Sequence, residues 1–149
     1  MKKVLILLVL TCSSIVGRGQ VASVNSIMKE AEKSYHSGDY EATLIKLEQA
    51  QKNAGKITSG ILYWRILAQK AILPGVKDPV FYTNMKKFEA LEMLRENCSF
   101  YLKSYGKLPA FSEQCNKVYE VQRSLKGYPV AKVEFDEIMH LQNAVKSNQ

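Results

Sequence analysis

Histidine, cysteine and proline are scarce in this chain, with two, three and four copies in 149 residues. That scarcity excludes much chemistry. There is no Cys-x-x-Cys pair, no His-Glu-x-x-His run and no glycine-rich phosphate loop, so neither a metal nor a cofactor is implied. His36 closes a predicted helix, where the dipole favours a positive side chain, and His140 stands beside Leu141 on another; both read as surface residues. Asp136-Glu137 and Glu113 do not form a carboxylate pair, because neighbouring acids on a helix point to different faces. The sequence therefore reads as a non-enzyme. A small exported enzyme would need His140, Asp136 and Cys98 or Cys115 gathered round one pocket.

Acidic residues are missing from the start of the chain, which carries Lys2, Lys3 and the apolar run Val4 to Leu10. This pattern predicts a secretory signal over residues 1–19, with Gly17 and Gly19 as the small residues before the cut and Gln20 as the new N-terminus. The run is too short for a retained transmembrane anchor. A second reading makes Cys12 the lipid-bearing residue of a lipoprotein. Localisation is accordingly expected in the periplasm, as part of a bacterial envelope, or outside the cell.

Loss of that leader removes three of the 21 basic residues and none of the 14 acids, leaving 18 against 14 and a net charge of +4 instead of +7. The remaining cations alternate with acids, as in Lys29-Glu30, Glu32-Lys33 and Arg95-Glu96. They form no dense basic stripe interleaved with aromatics, so nucleic acid is not an expected partner. Residues 20–149 are read as a single domain, long enough to bury its own core. The two cysteines left, Cys98 and Cys115, fall on the apolar stripes of consecutive helices flanking the turn at Gly106. Oxidation is permitted in such a compartment, so they are a candidate disulfide, with two reduced core thiols as the alternative.

Alternating strand patterns are almost absent, and what remains is helix punctuated by glycine and proline. The first helix is predicted from Val24 to Ser37 with Ile27, Ala31 and Tyr35 on one face, stopped by Gly38. Asp39 caps the second, running to Ala54 with Tyr40, Leu44, Leu47 and Ala50 inward and Gly55 as its stop. With one residue between stop and cap, these helices should fold back as an antiparallel hairpin. Thr58 or Ser59 opens a third helix to Leu73, apolar most of the way round. Asp78-Pro79 starts a long pattern ending at Gly106, with a break expected near Thr83-Asn84. A fifth helix is predicted from Pro109 to Gly127 and a sixth from about Val133, fraying after Val145.

Residues Ala31 to Ala50 resemble a tetratricopeptide repeat, in which a first helix ends at Gly-Asp-Tyr and the second carries small and apolar residues at set places. Gly38-Asp39-Tyr40, Leu44, Leu47 and Ala50 match, Ala31 takes the small place of the first helix, and Thr43 stands where the family has a small residue. A looser echo lies in Phe88-Glu89-Ala90-Leu91, about 48 residues on from Tyr40 against the family's regular spacing of about 34. The resemblance implies an all-α fold of three stacked antiparallel helical hairpins in a right-handed array, with a protein or peptide as partner. In such arrays the third helix lines the concave face. Tyr63, Arg65 and Gln69 are therefore the candidate recognition residues, with Trp64 as core. A helical binder of lipid or of a small apolar ligand is the alternative, with the third helix as the wall of an enclosed cavity.

Overall fold

The computed structural model describes residues 23–147, so the predicted leader and Cys12 lie outside the described residues. Among these residues there are six α-helices, two short 3-10 helices and no strand. The α-helices are α1 over 23–36, α2 Tyr40–Ala54, α3 Ser59–Ile72, α4 Met85–Tyr105, α5 Ser112–Ser124 and α6 Lys132–Ser147. The 3-10 helices are Pro79–Thr83 and Pro109–Phe111. The chain falls into two compact units whose boundary lies within α3, between Trp64 and Arg65.

The first unit is built on the turn between α1 and α2. Gly38 has φ +81°, a left-handed conformation that a side chain would strain. Its N–H bonds the Tyr35 carbonyl at 3.0 Å, and the Asp39 N–H bonds the Ser34 carbonyl at 2.9 Å. These two bonds are a Schellman motif, which satisfies the last carbonyls of α1. Asp39 then caps α2, its Oδ1 accepting from the Ala42 N–H at 3.0 Å. One short turn thus ends one helix, starts the next and reverses the chain. The antiparallel register is visible in Lys46 Nζ to Glu30 Oε2 at 2.7 Å and Asn53 Nδ2 to Ser23 Oγ at 3.3 Å.

Between α1, α2 and the start of α3 lies a small apolar core of Ala31, Leu47, Ala50 and Ile61. Ile27, Met28, Ile57 and Trp64 pack against it. Two alanines among four central residues leave little side-chain bulk in this core. Thr43 is fully buried, and its hydroxyl donates to the Asp39 carbonyl at 2.8 Å. The polar atom is thereby satisfied, so threonine fills a small-residue position without leaving a bare donor inside. Thr58 Oγ1 accepts from the Ile61 N–H at 3.3 Å and starts α3, as expected from its place before the apolar run.

The second unit is organised around rings. Asp78 caps the first 3-10 helix, with Oδ1 accepting from the Val80 N–H at 2.9 Å, and Pro79 occupies its first turn. Asn84 is extended, with φ −158° and ψ 156°, and breaks the long pattern where expected. The break turns Phe81 inward. Its ring lies 4.9 Å from Tyr82, 5.1 Å from Tyr128 and 5.4 Å from Phe135, each nearly edge to face. Phe135 also meets Tyr82 at 5.3 Å and Phe88 at 5.5 Å. The packing of α6 is therefore on the first 3-10 helix, while α5 packs on α4. The sequence pattern pairs α5 with α6 as a hairpin; the difference arises because Phe135, the single buried side chain among the described residues of α6, finds its aromatic complement upstream.

Candidate functional site

Aromatic side chains gather where α1 turns into α2. The Schellman turn brings Tyr35, the penultimate residue of α1, back against Tyr40, the first of α2, with ring centroids 5.3 Å apart. Trp64 of α3 lies 5.1 Å from Tyr35 and 5.6 Å from His36, and Tyr63 lies 5.4 Å from Trp64. His36 is exposed and the other four rings are half-buried. The inner edge of this cluster, Trp64, rests on the Ala31, Leu47, Ala50 and Ile61 core. Its outer parts face water, beside Glu32, whose Oε1 is 4.0 Å from His36 Nε2.

Burial, and then the neighbouring Tyr40, pushes the Tyr35 phenol above its usual pKa, so this ring stays neutral at physiological pH. Such a cluster can stack on apolar or cationic groups, and rings held in mutual edge contact lose little freedom on binding. Nothing in it supplies a nucleophile with a base. Among the described residues no group of three or more His, Cys, Asp or Glu side chains is placed to hold a metal ion.

The three predicted recognition residues do not share one face. At about 100° per residue, positions 63 and 65 of a helix lie roughly 160° apart, whereas 65 and 69 stand one turn apart on the same side. Tyr63 belongs to the ring cluster of the first unit; Arg65 and Gln69 belong to the second. Gln69 Oε1 accepts from Asn97 Nδ2 of α4 at 2.9 Å, a helix-to-helix bond that engages its carbonyl oxygen. Trp64 is half-buried, joining the core on one side and the open cluster on the other.

Arg95 of α4 is the residue that sequence reasoning missed. Its Nη1 donates to the Pro129 carbonyl and to Glu92 Oε1, both at 2.9 Å. Its Nη2 reaches the carbonyls of Tyr128 at 3.2 Å and Leu125 at 3.4 Å. One guanidinium thus caps the C-terminal end of α5 and holds the loop leading to α6. Read along the chain, Arg95-Glu96 is one more mixed-charge pair. The available signal was that position 95 follows Leu91 by four and precedes Cys98 by three, which puts it on the edge of the buried stripe.

Two open hollows flank α4. One, of about 550 Å³, is lined by Glu92, Arg95, Ser99, Gln122, Leu125, Lys126 and Val130. The other, of about 380 Å³, is lined by Met85, Phe88, Glu89, Glu92, Met93, Glu96 and Lys132. Neither has His140, Asp136, Cys98 or Cys115 in its wall, and neither is an enclosed apolar cavity.

Cys98 and Cys115 are both buried and both free, so the disulfide open to them in sequence is not formed. They act as small buried apolar residues, Cys98 on α4 and Cys115 on α5. Burial pushes the Cys98 thiol up to about 12 and raises that of Cys115, which removes the thiolate that exchange would need. Since the folded state keeps the proton beyond the pH at which the unfolded chain loses it, these groups weaken the fold only above the ordinary thiol pKa. Alkylation at pH 8, followed by peptide mass spectrometry, should modify Cys98 slower by roughly two orders of magnitude than in denaturant. Equal rates in the two conditions would contradict the burial.

Compared with known proteins, the chain matches no family model, no curated protein and no solved structure. Among the described residues no helix is long and apolar enough to cross a membrane.

Proposed function

We propose that this chain is an exported protein-binding module, an assembly adaptor of the bacterial envelope or its surroundings, whose first hairpin is of tetratricopeptide kind. The reading is supported by one observation above others. Five rings, Tyr35, His36, Tyr40, Tyr63 and Trp64, stand together at one end of a helical hairpin with all of them partly or fully open to solvent. Rigid aromatic groups of this type anchor protein interfaces, because each offers a large contact area with few rotatable bonds. Gly38-Asp39-Tyr40 and the small residues Ala31 and Ala50 support the repeat reading of this first hairpin.

The test is cross-linking and affinity capture from envelope fractions with the mature protein and with Tyr63→Ala. The half-buried Tyr63 ring lies outside the fully buried core, so the variant should retain its helical circular dichroism. Recovery of the partner should fall by roughly tenfold, the scale of an interface anchor. Unchanged recovery would remove the ring cluster as the binding surface. N-terminal sequencing of protein from the envelope fraction should begin at Gln20; an uncut cytosolic chain would remove export.

A further inference from the structure

The outward face of α4 is not the charged, solvated surface expected of a helix with no partner. Met85, Glu89, Met93, Glu96 and Phe100 recur at intervals of three and four residues and so form one stripe along it. At 1.5 Å per residue the stripe runs for about 22 Å, four turns of helix. Met93 is 54% and Phe100 52% exposed, which places two large apolar side chains in water. The smaller hollow opens beside them, with Phe88 and Met85 in its wall and Lys132 as its one cation.

Charge then decides what fits. Glu92 is held by Arg95, but Glu89 and Glu96 are exposed and make no ion pair among the described residues. The stripe thus alternates apolar groups with unneutralised carboxylates, in a chain whose formal net charge is +7. We propose that this face of α4 binds a short amphipathic helix of a partner protein, with an apolar ridge seated on Met85, Met93 and Phe100. Lysine or arginine on its flanks meets Glu89 and Glu96. Methionine suits this role, since its unbranched, polarisable side chain adapts to irregular ridges. Helix-in-groove recognition uses anchors at the same three-and-four spacing as the stripe itself. The site lies wholly in the second unit and does not rest on the ring cluster.

A fluorescently labelled fifteen-residue synthetic helix with leucine on one face and lysine on both flanks is the probe, titrated by anisotropy against the mature protein. Two control peptides replace every lysine by glutamate or every leucine by serine. The lysine–leucine peptide should bind and both controls should fail. The E89K/E96K double variant should weaken binding by roughly tenfold or more, and M93S/F100S similarly. Reversing two acids away from the stripe, E41K/E48K, should change it by less than about twofold, which separates local recognition from overall charge. The proposal is overturned if the glutamate peptide binds equally or if E41K/E48K weakens binding as much as E89K/E96K. It is also overturned if sedimentation shows a dimer that M93S/F100S converts to monomer, since a second copy would then be the occupant. Tyr63→Ala should leave this titration unchanged, so loss of one site and loss of the other are read separately.

Discussion

Phe135→Ala is expected to destabilise the second unit by about 4 kcal/mol, the middle of the range for emptying a buried aromatic site. Phe135 is fully buried and is the only described residue of α6 that is. Its ring contacts Phe81, Tyr82 and Phe88, all reached from the segment that precedes or opens α4. Val133, Leu141 and Val145 of the same helix are each more than half exposed, so they cannot hold α6 when the ring is gone. Phe135→Leu keeps much of the apolar volume but forfeits the edge-to-face contacts, and should cost roughly 1–2 kcal/mol. Denaturant unfolding followed by circular dichroism measures both. An alanine variant within about 1 kcal/mol of the parent would mean that α6 is held elsewhere.

Arg95→Ala should cost about 3 kcal/mol, because hydrogen bonds from a charged donor are stronger than neutral ones and the carbonyls it abandons cannot all turn to water. Leu125 and Tyr128 are buried, as is Pro129. The ion pair with Glu92 contributes little to this figure. Glu92 is 45% exposed, and pairs at that depth are worth on the order of 0.5 kcal/mol. Glu92→Gln should therefore be nearly silent where Arg95→Ala is not. Arg95→Lys keeps the charge without the planar fork and should recover about half the loss. Hydrogen exchange supplies the location: the amides around 126–131 should lose protection first in Arg95→Ala. A Glu92→Gln variant as unstable as Arg95→Ala would assign the energy to the ion pair instead.

Both predictions concern residues whose importance the sequence concealed, and the reason is the same for each. Phe135 was visible as an apolar position of a last helix, yet its partners lie 47 to 54 positions earlier, and periodicity reports which face is buried without reporting against what. Arg95 was visible as a charge, yet its four acceptors include three main-chain carbonyls, which no side-chain pattern encodes. The recognition residues divided for a geometric reason. Tyr63 joined the ring cluster, whereas Arg65 and Gln69 stand on another side of the same helix, and Gln69 is taken up by Asn97.

Local chemistry, by contrast, was legible residue by residue. Gly38 with Asp39, Gly55, Thr58, Asp78 with Pro79 and Asn84 each mark an end, a start or a break where the structure has one. Such signals depend on atoms within about five residues, so the sequence contains them whole. The all-helical class and the caps and stops at these positions were therefore determined by the chain alone, whereas the fifth helix, read from Pro109 to Gly127, is a 3-10 helix over Pro109–Phe111 followed by α5 over Ser112–Ser124. Which helix lies on which, the ring assembly at the α1–α2 turn, the guanidinium cap on α5 and the acidic apolar stripe beside a hollow were decided only on folding. They join side chains and carbonyls tens of residues apart, and the free energy that selects such contacts comes from desolvation and close fit between surfaces that do not exist until the chain is compact.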